Sequence, residues 1–266
     1  MPDQELQRLA LGVEYDGGEF LGFQAQAQEP TVQSTLERAL SRVADQPVRI
    51  HGSGRTDSGV HARGQVIHFD PPVQRSLRAW MLGTNSNLPP GCALTWVKPV
   101  PREFHARFSA TARSYRYRIV NQWPRPVLAR HVNTWIREPL DAARMHAAAR
   151  VLVGEHDFTS FRASSCQADH PIRRINEVEV QRQGDIVTVD IEGNAFLHHM
   201  VRNIVGCLIE VGTGMRAVDW VEEVLAARDR TVAGVTAPAT GLCLEAVRYP
   251  QHFNMPNRVM AAPDDD

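Results

Sequence analysis

The chain has 266 residues, 43% of them hydrophobic and 22% charged, which is ordinary for a soluble globular protein and leaves room for two modest domains. No apolar run approaches the roughly 20 residues of a membrane span, and the N-terminal segment is acidic and polar rather than a secretory signal, so we expect a cytoplasmic protein without membrane contact. The net charge of −1 does not by itself indicate a nucleic-acid partner, and the four widely spaced cysteines, without a C-x-x-C pair, match neither a zinc motif nor a disulfide framework.

The first half of the chain predicts the element order β-α-β-β-α-β. A strand at residues 8–16 ends in an Asp-Gly-Gly turn, and Thr31 can cap the helix that follows, whose apolar residues are spaced by four, four and three. A short strand at 48–50 then leads into a glycine-rich loop at 52–59. The remaining predictions are a strand at 65–70, a helix at 75–82 and a strand at 93–97.

The second half repeats this plan. Its predicted elements are a strand at 112–120, a helix capped by Asp141, a hairpin of strands at 175–181 and 186–192, helices at 198–211 and 218–228, and a strand at 242–249. We therefore predict an α+β fold in which two ferredoxin-like, RRM-like halves form a mainly antiparallel sheet with helices packed on it and an active-site cleft between the halves. The predicted domains are residues 1–107 and 108–250, followed by a tail at 251–266 that is disordered at its end.

The glycine-rich loop is the most informative segment for chemistry. Glycines allow its backbone to lie close to a ligand, and Asp57 stands two residues after Arg55, so that an extended segment would place both on one side. A loop aspartate is most often only a turn or cap residue, but a neighbouring guanidinium would keep this carboxylate ionised and oriented. The loop lacks the Gly-Lys-Ser/Thr of a phosphate-binding loop and the glycine spacing of a nucleophile elbow. The sole lysine, Lys98, lies within a predicted strand, which disfavours a pyridoxal enzyme.

The loop and several other segments closely resemble the TruA family of tRNA pseudouridine synthases. The similarity covers nearly the whole chain, in the family's order, and is carried by Glu14-Tyr15-Asp16-Gly17, Gly54-Arg55-Thr56-Asp57-Ser58-Gly59-Val60-His61, Gly64-Gln65-Val66, Asn87-Leu88-Pro89, Phe104-His105-Ala106-Arg107-Phe108, Ala112-Arg113-Ser114-Tyr115-Arg116-Tyr117, Asp157-Phe158-Thr159-Ser160-Phe161-Arg162, His198-His199-Met200-Val201-Arg202-Asn203 and Gly241-Leu242-Cys243-Leu244. One segment departs from the pattern. Many relatives have Tyr-x-Gly-Trp-Gln where this chain has Phe20-Leu21-Gly22-Phe23-Gln24, so a loop contact to RNA could differ in strength.

The resemblance implies a role for individual residues. Asp57 would attack the target uridine and help to break its N-glycosidic bond, and the freed uracil would be rejoined to the ribose through C5. Tyr115 matches the aromatic residue that stacks on the target base, Arg202 the basic residue that pairs with the catalytic aspartate, and Leu242 an apolar wall of the pocket. On their own, a strand tyrosine, a helix arginine and an apolar strand residue are as readily structural.

The resemblance also implies the partners. The substrate would be tRNA, modified in its anticodon stem-loop at positions 38, 39 and 40, and the enzyme would act as a homodimer. It would need no metal, nucleotide or other cofactor. The adjacent His198 and His199 do not suggest a metal site, because neighbouring residues on a helix diverge by about 100°.

Basic residues are concentrated from Arg102 to Arg130, where seven arginines accompany a single acid, Glu103. This pattern is typical of a phosphate-binding stripe, although an exposed basic face without a ligand would show the same sequence pattern. Alternation along a strand puts Arg113 on the face of Tyr115, so Arg113 is a candidate for the site itself. Two other functions stay open at this point: a nucleotide-binding hydrolase or transferase, and a catalytically inactive RRM-like RNA-binding protein.

Overall fold

The computed structural model describes residues 7–256, so the end of the predicted tail, 257–266, lies outside the described residues. The strands are β1 (Leu9–Tyr15), β2 (His51–Gly52), β3 (His61–Phe69), β4 (Cys92–Pro99), β5 (Ala112–Asn121), β6 (Thr134–Ile136), β7 (Gly154–Asp157), β8 (Ile172–Gln183), β9 (Ile186–Gly193) and β10 (Leu242–Arg248). The α-helices are α1 (Val32–Ala44), α2 (Leu77–Asn85), α3 (Ala142–Ala149), α4 (Met200–Gly212) and α5 (Trp220–Ala227). They form two compact units. One contains the described residues up to Thr111 and those from Leu244 onward, and the other spans Ala112–Cys243.

The first unit has the predicted β-α-β-β-α-β order. Its strands are antiparallel in the spatial order β4-β1-β3-β2, which is the ferredoxin-like arrangement. Helix α1 begins where the sequence indicates, because Thr31 and Ser34 form a reciprocal capping box, and it ends at Asp45 in the left-handed conformation. Strand β3 begins at His61, four residues earlier than predicted, because Ala62 still pairs with Tyr15 of β1.

The end of the chain completes this first unit. Strand β10 lies beside β3, and Phe253 packs into a buried cluster with Trp96, Phe104 and other apolar residues. The only lysine of the chain, Lys98, donates hydrogen bonds from Nζ to the carbonyl oxygens of Phe253 and Asn254. The last strand therefore packs with the first unit, although it follows the second unit in the sequence.

The second unit builds its sheet in the order β5-β9-β8-β7, with β6 added parallel to β5. Strands β8 and β9 form the predicted hairpin, in which Gly184 has a left-handed φ of +58°. Two short strands, β6 and β7, were not predicted, because three- or four-residue segments such as Gly154-Glu155-His156-Asp157 carry no apolar alternation.

The α+β class and the mainly antiparallel pairing are confirmed. No helix in the described part of the chain is both long and apolar enough to cross a membrane.

The rings of three histidines of the first unit contact one another, and we call this group the histidine cluster: His51, His68 and His105. The ring of His68 lies 5.0 Å from that of His51 and 4.5 Å from that of His105. His68 is only 1% exposed, and its Nδ1 accepts a hydrogen bond from the backbone N–H of Ala106 at 3.1 Å. Burial, and then the nearby His105, Arg8 and His51, lower the pKa of His68 to about 3. The imidazole is therefore neutral in the folded protein throughout the physiological range.

This neutral histidine predicts a fall in stability in mild acid. An unfolded chain protonates His68 below its ordinary pKa of 6.5, whereas the folded chain does so only near pH 3. The free energy of unfolding should therefore be fully retained above pH 6.5 and fall by roughly 1.4 kcal/mol per pH unit below it, about 2 kcal/mol at pH 5. Urea unfolding at pH 7 and pH 5 measures this change. His68→Asn keeps an acceptor for Ala106 but cannot titrate, so its pH dependence should be flatter. An unchanged slope would contradict the assignment.

Candidate active site

The glycine-rich loop connects β2 to β3 and carries Asp57 in a half-buried position. The carbonyl oxygen of Asp57 accepts a hydrogen bond from the N–H of Val60 at 3.1 Å, closing a tight turn. Gly59 within this turn has a φ of +80°, which explains the glycine at this position. The turn fixes the backbone from which the Asp57 carboxylate projects.

The segment at residues 17–23 braces the loop from one side. The N–H of Phe23 donates to the carbonyl of Thr56 at 3.0 Å, and the Ser58 hydroxyl donates to the carbonyl of Phe20 at 3.3 Å. Gly22 has a φ of +92°, and a Cβ there would lie 3.0 Å from the Thr56 carbonyl oxygen. The part of the chain that departs from the family pattern is thus packed against the glycine-rich loop.

A buried network of polar side chains lies beneath the loop. The hydroxyls of Tyr15 and Thr56 are 2.8 Å apart, and the Gln65 amide donates to the Gly54 carbonyl at 2.9 Å and to the Tyr15 hydroxyl at 3.3 Å. The Ser53 hydroxyl donates to the Gln65 side-chain oxygen at 2.6 Å. All four side chains are buried. The network ties the first part of the loop, at residues 53, 54 and 56, to β1 and β3 and limits its movement.

Sequence reasoning selected Asp57 and Arg55 but gave these supporting residues no role. Tyr15 and Gln65 lie in quoted motifs, yet only the pairing of β1 with β3 brings them under the loop. Arg55 itself is exposed, and its side chain forms no hydrogen bond or ion pair with any residue between 7 and 256. Its predicted role in orienting Asp57 stays a prediction.

Replacing Gln65 with leucine is expected to lower the free energy of unfolding and to slow the uridine isomerisation that the family resemblance implies. The substitution removes an acceptor from Ser53 and a donor from Gly54 in a buried setting, so the free energy of unfolding should fall by roughly 1–3 kcal/mol. A displaced loop should slow the reaction by on the order of 10–100-fold. Urea unfolding and single-turnover kinetics test the two effects. Gln46→Leu changes an exposed glutamine of the same unit and is the control. Wild-type kinetics for Gln65→Leu would show that the network does not position the loop.

The second unit holds Tyr115 on β5, opposite Ile191 of β9. The tyrosine is half-buried, and its ring meets Phe196 edge to face, with centroids 5.1 Å apart and planes at 82°. This geometry is the preferred one for an aromatic pair and leaves the orientation of the Tyr115 ring well defined. Phe196 was not predicted as a site residue, because it lies in the loop after β9, where the sequence gives no periodic pattern.

The arginines of β5 divide between the two faces of the strand. Arg113 shares the Tyr115 face, and its guanidinium donates to the carbonyl of Asn194 at 2.8 Å. Arg116 points to the other face, where it forms two hydrogen bonds to Asp190 at 2.6 and 3.1 Å. This ion pair occupies the Arg116 guanidinium and makes it a weaker phosphate ligand than the sequence suggested.

Arg202 lies on α4 and Leu242 is the first residue of β10. The Arg202 Nε donates to the carbonyl of Ala237 at 2.8 Å, which holds the side chain in place. Tyr117 lies two residues beyond Tyr115 on the same face of β5. Burial raises the pKa of Tyr117, and its hydrogen bond with Thr134 and then the charge of Arg202 act in the opposite direction. Leu242 is buried.

The two adjacent histidines are not on a helix, contrary to the prediction. Helix α4 begins at Met200, His199 precedes it with a left-handed φ of +61°, and the rings of His198 and His199 lie 4.0 Å apart. The helix was expected from residue 198, but the left-handed residue breaks its regular hydrogen bonding. The geometric argument against a metal at these residues was therefore wrong, and metal dependence becomes a question for experiment.

Comparison with known proteins adds independent findings. Residues 12–109 and 148–250 match the family described as tRNA pseudouridine synthase. Proteins named tRNA pseudouridine synthase A are similar over nearly their whole length. The one from Xanthomonas campestris pv. campestris (strain B100) is 53% identical over 254 residues, which cover 95% of this chain and 99% of that protein. The one from Klebsiella pneumoniae (strain 342) is 53% identical, covering 96% and 95%, and the one from Pseudomonas aeruginosa 52%, covering 96% and 90%.

Proposed function

Because the chain belongs to the tRNA pseudouridine synthase family, we propose that it isomerises uridine to pseudouridine in the anticodon stem-loop of tRNA, at positions 38, 39 and 40. The observation that carries this proposal is the half-buried Asp57 on a loop fixed by its own turn and by a buried polar network. Such preorganisation is what a nucleophile needs and what a simple RNA-binding surface does not.

The reaction is balanced without any second substrate. The bond between N1 of uracil and C1′ of ribose breaks, a bond between C5 and C1′ forms, the proton on C5 leaves and N1 gains one. Asp57 supplies the carboxylate that attacks the nucleotide and is released at the end, so the enzyme is regenerated. The uridine must first leave the base stack, which costs a few kcal/mol and is repaid by contacts to the extruded base.

The second unit supplies the ring that stacks on the uracil base and the positive charges that the reaction and the RNA require. Tyr115 offers a ring whose orientation Phe196 fixes, which suits stacking on uracil. Arg202 provides a positive charge to pair with the catalytic carboxylate, and Arg113 binds the RNA backbone on the same strand face as Tyr115. Leu242 contributes an apolar wall. Arg55 assists Asp57 from the loop. The roles of Tyr115, Arg202 and Leu242 follow from the family's pattern at each position. That of Arg113 follows from alternation along the strand, and that of Arg55 from its spacing to Asp57.

The quaternary structure and location follow from the same proposal. We expect a homodimer acting on cytoplasmic tRNA. Exposed aliphatic side chains grouped in one segment of the second unit, Val127, Leu128 at 96% exposure and Val132, support a subunit contact, since such groups are uncommon on monomers. A solution mass equal to a single chain at micromolar concentration would contradict the homodimer.

Tritium release tests the proposed function directly. Unmodified tRNA transcript carrying tritium at C5 of uridine should lose tritium to water when the purified chain is added, because isomerisation removes the C5 proton. The same yield is expected after exhaustive EDTA treatment and desalting, since no step requires a metal or nucleotide. Loss of activity that returns with added Zn²⁺ or Mg²⁺, with tRNA folding checked separately, would show a metal requirement. No release under either condition would exclude the function.

A further inference from the structure

The motif at residues 104–108 forms a rigid turn that the proposed reaction does not use. The backbone N–H groups of Arg107 and Phe108 both donate to Nδ1 of His105, at 3.1 and 3.3 Å. Ser109 closes the turn: its N–H donates to the carbonyl of His105 and its hydroxyl accepts from the N–H of His105, both at 2.9 Å. With the bond from Ala106 to His68, three consecutive amides are held by histidine side chains.

This turn presents an exposed aromatic ring. Phe108 is 75% exposed, yet its ring is backed by that of His105, with centroids 4.3 Å apart and planes tilted by 34°. His105 is in turn packed against the rest of the histidine cluster, at 4.5 Å from His68 and 5.4 Å from His51. The contact with His105 holds the ring of Phe108 in one orientation before any binding partner is present.

The charge around Phe108 favours an anionic partner. The Arg107 guanidinium lies 5.5 Å from the Phe108 ring centroid, and both Arg107 and Arg102 are exposed. Burial, followed by nearby positive groups, lowers the pKa of His105, so the ring behind Phe108 is neutral at physiological pH. A neutral aromatic pair beside an arginine combines base stacking with phosphate attraction, the pattern of single-stranded nucleic-acid sites.

We propose that Phe108, backed by His105 and flanked by Arg107, is a stacking platform for an unpaired tRNA base other than the target uridine. The proposal rests on the proposed tRNA activity and adds a binding contact to it. Because the contact is made away from the reacting base, it contributes to affinity for tRNA and not to the chemical step.

Three substitutions separate stacking from apolar burial. Phe108→Ala and Phe108→Leu remove the π face, and we expect each to raise the tRNA dissociation constant roughly 5- to 150-fold, the equivalent of about 1–3 kcal/mol of lost stacking. Phe108→Trp restores an aromatic face and should bind within about twofold of wild type. Single-turnover rates at saturating tRNA, and the dependence of affinity on salt, should be unchanged in all three, because no phosphate contact is lost. Leu82→Ala, another exposed apolar residue of the first unit, is the control.

Each contrary result has a distinct meaning. Wild-type affinity in Phe108→Ala, or in Phe108→Leu, would overturn the stacking platform. A change in solution mass instead of tRNA affinity would also overturn it, by assigning Phe108 to a contact between protein chains. If the unsubstituted chain binds tRNA and releases tritium, these outcomes leave the proposed function intact. If it does neither, the proposed function itself fails.

Discussion

Asp57→Asn is expected to abolish pseudouridine formation, with a loss on the order of 10⁴-fold or more, while tRNA affinity stays within a few-fold of wild type. Asparagine retains the size of the side chain and one accepting oxygen but cannot act as a nucleophile. Most binding free energy comes from phosphate contacts, which the substitution does not touch. Tritium release and equilibrium tRNA binding measure the two quantities on the same preparation.

Two further variants make this result decisive. Asparagine can deamidate to aspartate and restore activity, so Asp57→Ala, which cannot revert, should be equally inactive. Asp185→Asn alters an exposed aspartate in the turn between β8 and β9 and should retain full activity. Turnover by purified Asp57→Ala above the level of a protein-free reaction would mean that another group is the nucleophile.

Tyr115→Ala should lose most activity, because it removes the ring that stacks on the target base. Stacking is worth roughly 1–3 kcal/mol per base, so the single-turnover rate should fall by about 5- to 150-fold. Tyr115→Phe keeps both the ring face and the edge contact with Phe196, so it should fold normally and bind tRNA like wild type. Comparing the two variants separates the contribution of the Tyr115 ring from that of its hydroxyl group.

A third variant tests whether the ring must be oriented. Phe196→Leu preserves apolar volume but removes the edge-to-face contact, and its rate should fall between those of wild type and Tyr115→Ala. Melting temperatures of all variants control for folding. Wild-type single-turnover rates in Tyr115→Ala would show that Tyr115 is a structural residue of β5.

The sequence was sufficient where local signals agree. The Thr31 cap, the hairpin at Gly184 and the β-α-β-β-α-β order of the first unit were all predicted, because capping, turn chemistry and alternation act over a few residues. The glycine loop was located for the same reason. A loop aspartate is most often only a turn or cap residue, and Asp57 stood out because Arg55 precedes it by two residues in a glycine-rich loop.

What could not be predicted depends on distant contacts. Gln65 reaches Gly54 and Tyr15 only because three separate segments meet, and no local pattern records that meeting. The edge contact of Phe196 with Tyr115 is likewise a product of strand register. Arg55 shows the limit of a local pattern: its spacing of two residues from Asp57 predicts a pair, but the side chain is exposed and its role in orienting Asp57 stays a prediction.

The placement of β10 sets an order of assembly during synthesis. The ribosome delivers residues 7–111 long before residues 244–256, yet these two stretches belong to one compact unit. Until residues 244–253 are made, the edge of β3 lacks β10, and the cluster around Trp96 and Phe104 lacks Phe253. The edge of β3 therefore stays open after residues 7–111 have emerged, and an open strand edge exposes a nascent chain to aggregation.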